Sequence, residues 1–141
     1  MTERHMADLV RHQKPLTMLP TDTVQAACRR MAERQVGAVL VTDANLRLLG
    51  IFTGRDAVTR VVADGRDPAK TKLADVMTRN PTSTSSNCTS IQCLRLMQDC
   101  GFRHVPIVDK EVLVGVVSRG DFRGREQDRL DEETGLWERL A

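Results

Sequence analysis

Aromatic side chains are nearly missing from this chain: they make up 3% of its 141 residues, with no tyrosine and a single tryptophan, Trp137. Stacking platforms for single-stranded nucleic acid are therefore scarce. Net charge is also small, +2 at neutral pH, so no strong field draws the chain to nucleic acid. The one arginine-rich run, Arg119, Arg123, Arg125 and Arg129, is interrupted by Glu126 and Asp128 and followed by Asp131, Glu132 and Glu133. That pattern reads as a salt-bridged helix face. No apolar run approaches bilayer length, and the charged stretch "MTERHMADLVRHQK" lacks a signal-peptide core. The expectation is a cytoplasmic protein with neither a membrane nor a nucleic-acid partner.

Cysteine occurs, but without a ligand pattern. Cys28, Cys88, Cys93 and Cys100 form no CxxC, so buried or half-exposed reduced thiols are expected, and no metal site. GxxxxGK[ST], GxGxxG and HExxH are absent, and "VVSRG" lacks the first glycine of a nucleophile elbow. His5, His12 and His104 have no carboxylate or cysteine arrangement suited to metal catalysis. The expectation is a protein that is not an enzyme. With 40% hydrophobic and 28% charged residues, the composition is that of a folded globular chain.

What the sequence does contain, it contains twice. At an offset of about 66 residues, Pro15 meets Pro81, Thr23 meets Thr89, Met31 meets Met97 and Asp43 meets Asp109. The first copy carries one extra residue in "DANLRLLG" against "DKEVLVG", a slip that a turn absorbs at little cost. After each proline comes an extended hydroxyl-rich segment, then a hydroxyl cap at Thr23 or Thr89 opening an amphipathic helix. Val24, Ala27, Cys28 and Met31 share one face of the first helix; Ile91, Leu94 and Met97 share one face of the second. Two β-branched runs follow in each copy, and the first copy ends in a helix, "DAVTRVVAD", stopped by Gly65. Each copy thus reads strand, helix, strand, strand, helix.

Each copy closes on the same phrase, "GIFTGRD" at Gly50 and "GVVSRGD" at Gly115. Thr53 with Asp56, and Ser118 with Asp121, match a capping box, and capping alone accounts for the spacing. A second reading starts from the preference of that box for the longer Glu or Gln. On it, the Asp carboxylate points elsewhere and can accept the two hydroxyls of a ribose, while the helix start suits a phosphate.

These phrases, with "VMTRNP" and "FRHVPIVD" in the second copy, resemble a tandem pair of CBS (cystathionine beta-synthase) domains, a Bateman module, over about residues 7–124. The resemblance implies an α/β (α+β) fold of two repeats packed with pseudo-two-fold symmetry: residues 1–70, then 71–124, then a helical extension over 125–141. It implies a regulatory module sensing AMP, ADP or ATP in clefts between the repeats, with NAD(H) or S-adenosylmethionine as alternative ligands. No cofactor is required. Asp56 and Asp121 carry the ribose role, and Thr53 and Ser118 lie near ribose or phosphate. Arg103 and His104 face phosphates, where Arg supplies a permanent fork and His a charge variable near neutral pH. Thr17 and Ser83 correspond to a position near the base, and Arg55 and Arg119 stand within reach of phosphates.

Because basic residues precede the second hairpin, where the first copy has Gly37 and Ala38, Asp121 is the favoured ribose ligand. A homodimer is expected, and any regulated protein is a separate chain. The competing class is a dimeric interaction module with vestigial clefts. Its support is the tail, where Leu130, Leu136, Trp137 and Leu140 draw an apolar edge on a charged helix.

Overall fold

Hydroxyl residues open both long helices, as the sequence predicts. The computed structural model describes residues 4–122. In chain order its elements are α1 (Met6–Val10), β1 (Thr17–Met18), α2 (Val24–Arg34), β2 (Ala38–Thr42), β3 (Leu48–Thr53), α3 (Gly54–Asp56, continued by a wider π-wound stretch, Ala57–Val62), α4 (Leu73–Val76), β4 (Thr78–Arg79), α5 (Ser90–Cys100), β5 (His104–Asp109), β6 (Val112–Ser118) and a 3-10 turn, Arg119–Asp121. Thr23 accepts the amide of Ala26 at 3.1 Å, and Thr89 that of Gln92 at 3.2 Å. Gly65 ends the first copy's closing helix with φ 71°. Its N–H reaches Val62 O at 3.1 Å, and that of Arg66 reaches Val61 O at 2.9 Å, the two bonds of a Schellman stop.

The first copy realises the expected order as β1, α2, β2, β3 and α3. β1 pairs parallel with β2, and β2 antiparallel with β3, whose far edge carries β4. All five residues of β2 are buried. The second copy is leaner. Its extended lead-in contributes one parallel bridge, Thr84 to Ile107, where the first copy has β1, and β5 pairs antiparallel with β6. The one-residue slip sits in the first hairpin turn, where Asp43 Oδ1 accepts the amides of Asn45 at 2.8 Å and Arg47 at 3.0 Å. The C-terminal extension, with Leu130, Leu136, Trp137 and Leu140, lies outside the described residues, as does the chain beyond Phe122.

Packing crosses the sequence division at residue 70. Leu73, Val76 and Met77, which lead into the second copy, are buried with Val24, Met31, Val39 and Phe52 of the first. Met6 and Val10 are buried with Cys93, Met97, Val105, Ile107 and Val117 of the second. Backbone hydrogen bonds fix both crossings in the same way. Leu73 N donates to Asp22 O at 2.9 Å and Val24 N to Thr71 O at 2.9 Å; Met6 N donates to Cys88 O at 2.8 Å and Ser90 N to Arg4 O at 2.7 Å. A third cluster, Ala38, Leu40, Ile51 and Leu113, joins the two hairpins.

These crossings explain the glycine that starts each repeated phrase. A methyl group on Gly50 would stand 2.8 Å from Thr78 O, and one on Gly115 would stand 2.6 Å from Val10 Cβ and 2.6 Å from Gln13 Oε1. Gln13 then does for β6 what β4 does for β3. Its side-chain amide accepts Val116 N at 2.6 Å and donates to Val116 O at 2.7 Å, closing a strand edge with one residue. Gly115→Ala is therefore expected to destabilise the fold by about 1–3 kcal/mol through overpacking. An unchanged urea midpoint would contradict the close approach.

All four cysteines are free. Cys93 is buried and Cys28 and Cys88 are half-buried, as expected, but Cys100 is exposed at the end of α5. Burial, with a further contribution from the neighbouring Cys88, pushes the Cys93 thiol up to about 12, which makes it an inert packing residue.

Candidate ligand cleft

β3 ends and α3 begins at Thr53, an extended residue with φ −113° and ψ 167°. Asp56 Oδ2 accepts the Thr53 N–H at 3.0 Å and the Thr53 hydroxyl at 3.1 Å, while Thr53 Oγ1 accepts the Asp56 N–H at 3.2 Å. The second copy repeats the arrangement, with Asp121 Oδ2 taking Ser118 N–H at 2.7 Å and the hydroxyl at 3.3 Å. The expectation that an Asp in this position leaves the cap is thereby corrected. With the cap residue fully extended, its N–H turns down the first helical turn, and a carboxyl one methylene shorter than Glu reaches it. Capping occupies only Oδ2.

The other oxygen of Asp56 faces Arg60, with Oδ1 3.6 Å from Nε. Arg60 Nη1 in turn donates to Val76 O at 3.1 Å and Met77 O at 3.3 Å, tying the carboxylate to the end of α4. The π winding over Ala57–Val62 is marked by Ala63 N donating to Val58 O at 2.9 Å. It carries Thr59 and Arg60, and both line a cavity of about 1030 Å³. Such windings recur at functional sites.

Besides Gly37, three stretches build that cavity. Thr53, Arg55 and Asp56 come from the first copy's closing phrase; Thr78, Asn80, Pro81 and Thr82 come from the lead-in to the second; Arg103 comes from the turn before β5 and His104 is the first residue of β5. Five residues expected at a site thus meet: Thr53, Arg55, Asp56, Arg103 and His104. Arg55 and Arg103 are exposed to the cavity, so their charges outnumber that of Asp56, whose side chain is 14% exposed.

The remaining expected residues are placed elsewhere. Ser118, Arg119 and Asp121 close β6, where Ser118 pairs with His104 and Arg119 N donates to Arg103 O at 3.1 Å. Ser83 lines a smaller neighbouring cavity of about 480 Å³ with Leu48, Leu49 and Val108. Thr17 is in β1, paired with Leu40, and lines neither cavity. Sequence reasoning did not single out Thr59, Arg60, Thr78, Asn80 or Thr82. Two signals were available: Arg60 stands at the i,i+4 position from Asp56, and Thr78, Asn80 and Thr82 flank the matched proline.

His104 is half-buried, and its imidazole lies 3.1 Å from where a Gly37 methyl would be, so glycine makes room for it. Burial lowers its pKa, the Asp121 charge opposes this, and Arg103 adds to it. The folded state then holds fewer protons than the unfolded chain near pH 6. Stability linked to His104 is complete above its ordinary pKa of about 6.5 and is lost as pH falls below it. The melting temperature is expected to drop between about pH 7 and pH 5.5, and less steeply in His104→Gln. Equal slopes in the two proteins would remove His104 as the cause.

Among the described residues, no group of three or more His, Cys, Asp or Glu is placed to hold a metal ion, and no helix is long and apolar enough to cross a membrane.

Comparison with known proteins bears on this geometry. The family model "CBS domain" matches residues 6–63 and 73–127. The chain is similar to the CBS domain-containing protein CBSCBSPB2 of Arabidopsis thaliana, with 43% identity over 108 residues, 77% of this chain and 20% of that protein. It therefore spans about a fifth of that relative's length. Among solved structures it is similar to the CBS-domain containing protein ATU1752 from Agrobacterium tumefaciens, at 33% identity and TM-score 0.75, covering 83% of this chain and 94% of that one. It also shares its fold with CBS domain protein PAE2072 from Pyrobaculum aerophilum complexed with AMP, at TM-score 0.80 and 22% identity, covering 91% and 98% of the two chains.

Proposed function

The chain belongs to the CBS-domain family, and from that premise we propose that it is a regulatory module binding an adenosine-containing nucleotide in the cleft between its repeats. The observation that carries this reading is the meeting of Asp56, from the first repeat, with Arg103, from the second, across one cavity. A carboxylate suits the two ribose hydroxyls and an arginine fork suits phosphate oxygens. A ligand held by both repeats would favour one angle between them over others, which is how binding becomes a signal. The AMP bound to PAE2072 supports the ligand class; at that identity it lends no residue roles. AMP, ADP, ATP and NAD are the ligands this charge pattern favours, ahead of S-adenosylmethionine, whose sulfonium would meet Arg55 and Arg103. The reading is one of binding rather than catalysis.

Calorimetric titration of the protein with all five compounds at up to millimolar concentration tests it. At 100 times its dissociation constant a ligand stabilises the fold by about 2.7 kcal/mol, a clear melting shift. Absence of both heat and shift for the whole panel would remove the nucleotide reading and leave an interaction module with vestigial clefts.

A homodimer is part of the same proposal. Val58 and Val62, four residues apart on the closing helix of the first repeat, are 61% and 73% exposed, a surface suited to a second copy. Light scattering of the protein and of Val62→Lys checks it, with a dimer mass for the first and a monomer mass for the second.

A further inference from the structure

Asp56 divides its carboxylate. Oδ2 serves the cap on Thr53, while Oδ1 lies 3.6 Å from Arg60 Nε, close enough for an ion pair and too long for a hydrogen bond. The lone pairs of Oδ1 therefore stay open to the cavity that both residues line. Arg60 also sets a positive charge against that of Asp56, which otherwise repels an anion entering the same cavity.

The same guanidinium reaches the other way. Nη1 donates to Val76 O at 3.1 Å and to Met77 O at 3.3 Å, the carbonyls that end α4. From there the chain enters β4, which pairs with β3, and then residues 80–82 on the wall of the cleft. Arg60 thus joins the carboxylate to the connector between the repeats through one planar, rigid group, so that a displacement at one end is felt at the other. The pairing is written twice in the sequence, because Arg125 follows Asp121 by four residues as Arg60 follows Asp56. A capping box requires neither arginine.

We propose that Arg60 is a positioning residue of this cleft, holding Asp56 Oδ1 toward an occupant and relaying its presence to the end of α4. The inference rests on the nucleotide reading above and adds the regulation of that site, by naming the connector as the part that responds. Met77 reports the relay: its N–H donates to Leu73 O at 2.8 Å, its side chain is buried in the first core, and it stands outside the residues lining the cleft. Leu40, whose N–H donates to Leu16 O at 2.9 Å, is the reference, since a ligand that only stabilises the whole fold slows both amides alike. Hydrogen exchange is measured with and without saturating AMP or ADP. In the wild type, Met77 is expected to slow by about threefold more than Leu40, or beyond. Arg60→Lys keeps the charge, but its single ammonium reaches the carboxylate or the carbonyls and not both. This variant is expected to bind ADP within a factor of about five of the wild type and to lose the excess at Met77. Equal slowing of the two amides in the ligand-bound wild type would overturn the relay while the nucleotide reading stands, whether or not the variant folds. An excess at Met77 that survives in Arg60→Lys would overturn the role of Arg60. Binding of neither nucleotide by the wild type would overturn both readings.

Discussion

Replacing Leu73 by alanine is expected to destabilise the protein by about 2–5 kcal/mol, and to do so by loosening the first repeat, although Leu73 leads into the second. The side chain is fully buried among Val24, Met31, Val39 and Phe52. Removing three carbons there loses their transfer energy and leaves a cavity that a close-packed core fills only in part. The location of the damage is the sharper test. Amides of residues 24–42 should exchange with solvent faster, while those of residues 91–108 keep their protection, because Leu73 N is bonded to Asp22 O and Val24 N to Thr71 O. Met6→Ala should produce the mirror pattern. Faster exchange confined to residues 91–108 in Leu73→Ala would refute the crossed packing.

The second large effect concerns binding. Asp56→Asn is expected to weaken ADP by about tenfold to a hundredfold, since each hydrogen bond to a charged group contributes about 1.5–3 kcal/mol. Asparagine keeps an acceptor for the Thr53 N–H, so the cap survives and the melting temperature changes little. Asp121→Asn, in the same titration, should leave ADP binding at the first cleft within a factor of about three. The sequence favoured Asp121 because Arg103 and His104 belong to its copy. The fold lines one cavity with those residues and Asp56, while the Asp121 charge also acts on His104. A larger loss of ADP binding in Asp121→Asn than in Asp56→Asn would reinstate the sequence preference.

Why the fold was legible and the cleft only partly so follows from the range of the interactions involved. Thr23, Thr89 and Gly65 act within one helical turn, so their roles can be read from neighbours in sequence. β2 announces itself by an unbroken apolar run. Gly50 and Gly115 were visible as a repeated letter, but their cause, a chain segment passing within van der Waals distance, comes from 28 residues later for Gly50 and, at Val10, from 105 residues earlier for Gly115. The cleft fails to read for the same reason. Asp56, Asn80 and Arg103 become neighbours only after α4 has packed on the first core. The capping box was read correctly as a motif and wrongly as a choice, since one carboxylate oxygen holds the cap while the other remains on the cavity side.

The crossed helices also set an order of events during synthesis. Residues 73–77 leave the ribosome soon after the first repeat they complete, so that core can close early. α1 emerges ahead of the first repeat, yet its partners extend to Val117. A chain stalled near residue 80 would carry one finished core and one uncovered helix, with Met6 and Val10 offered to whatever binds apolar surface. A segment made ahead of the first repeat is buried only after it, and its cover is more than the length of that whole repeat away.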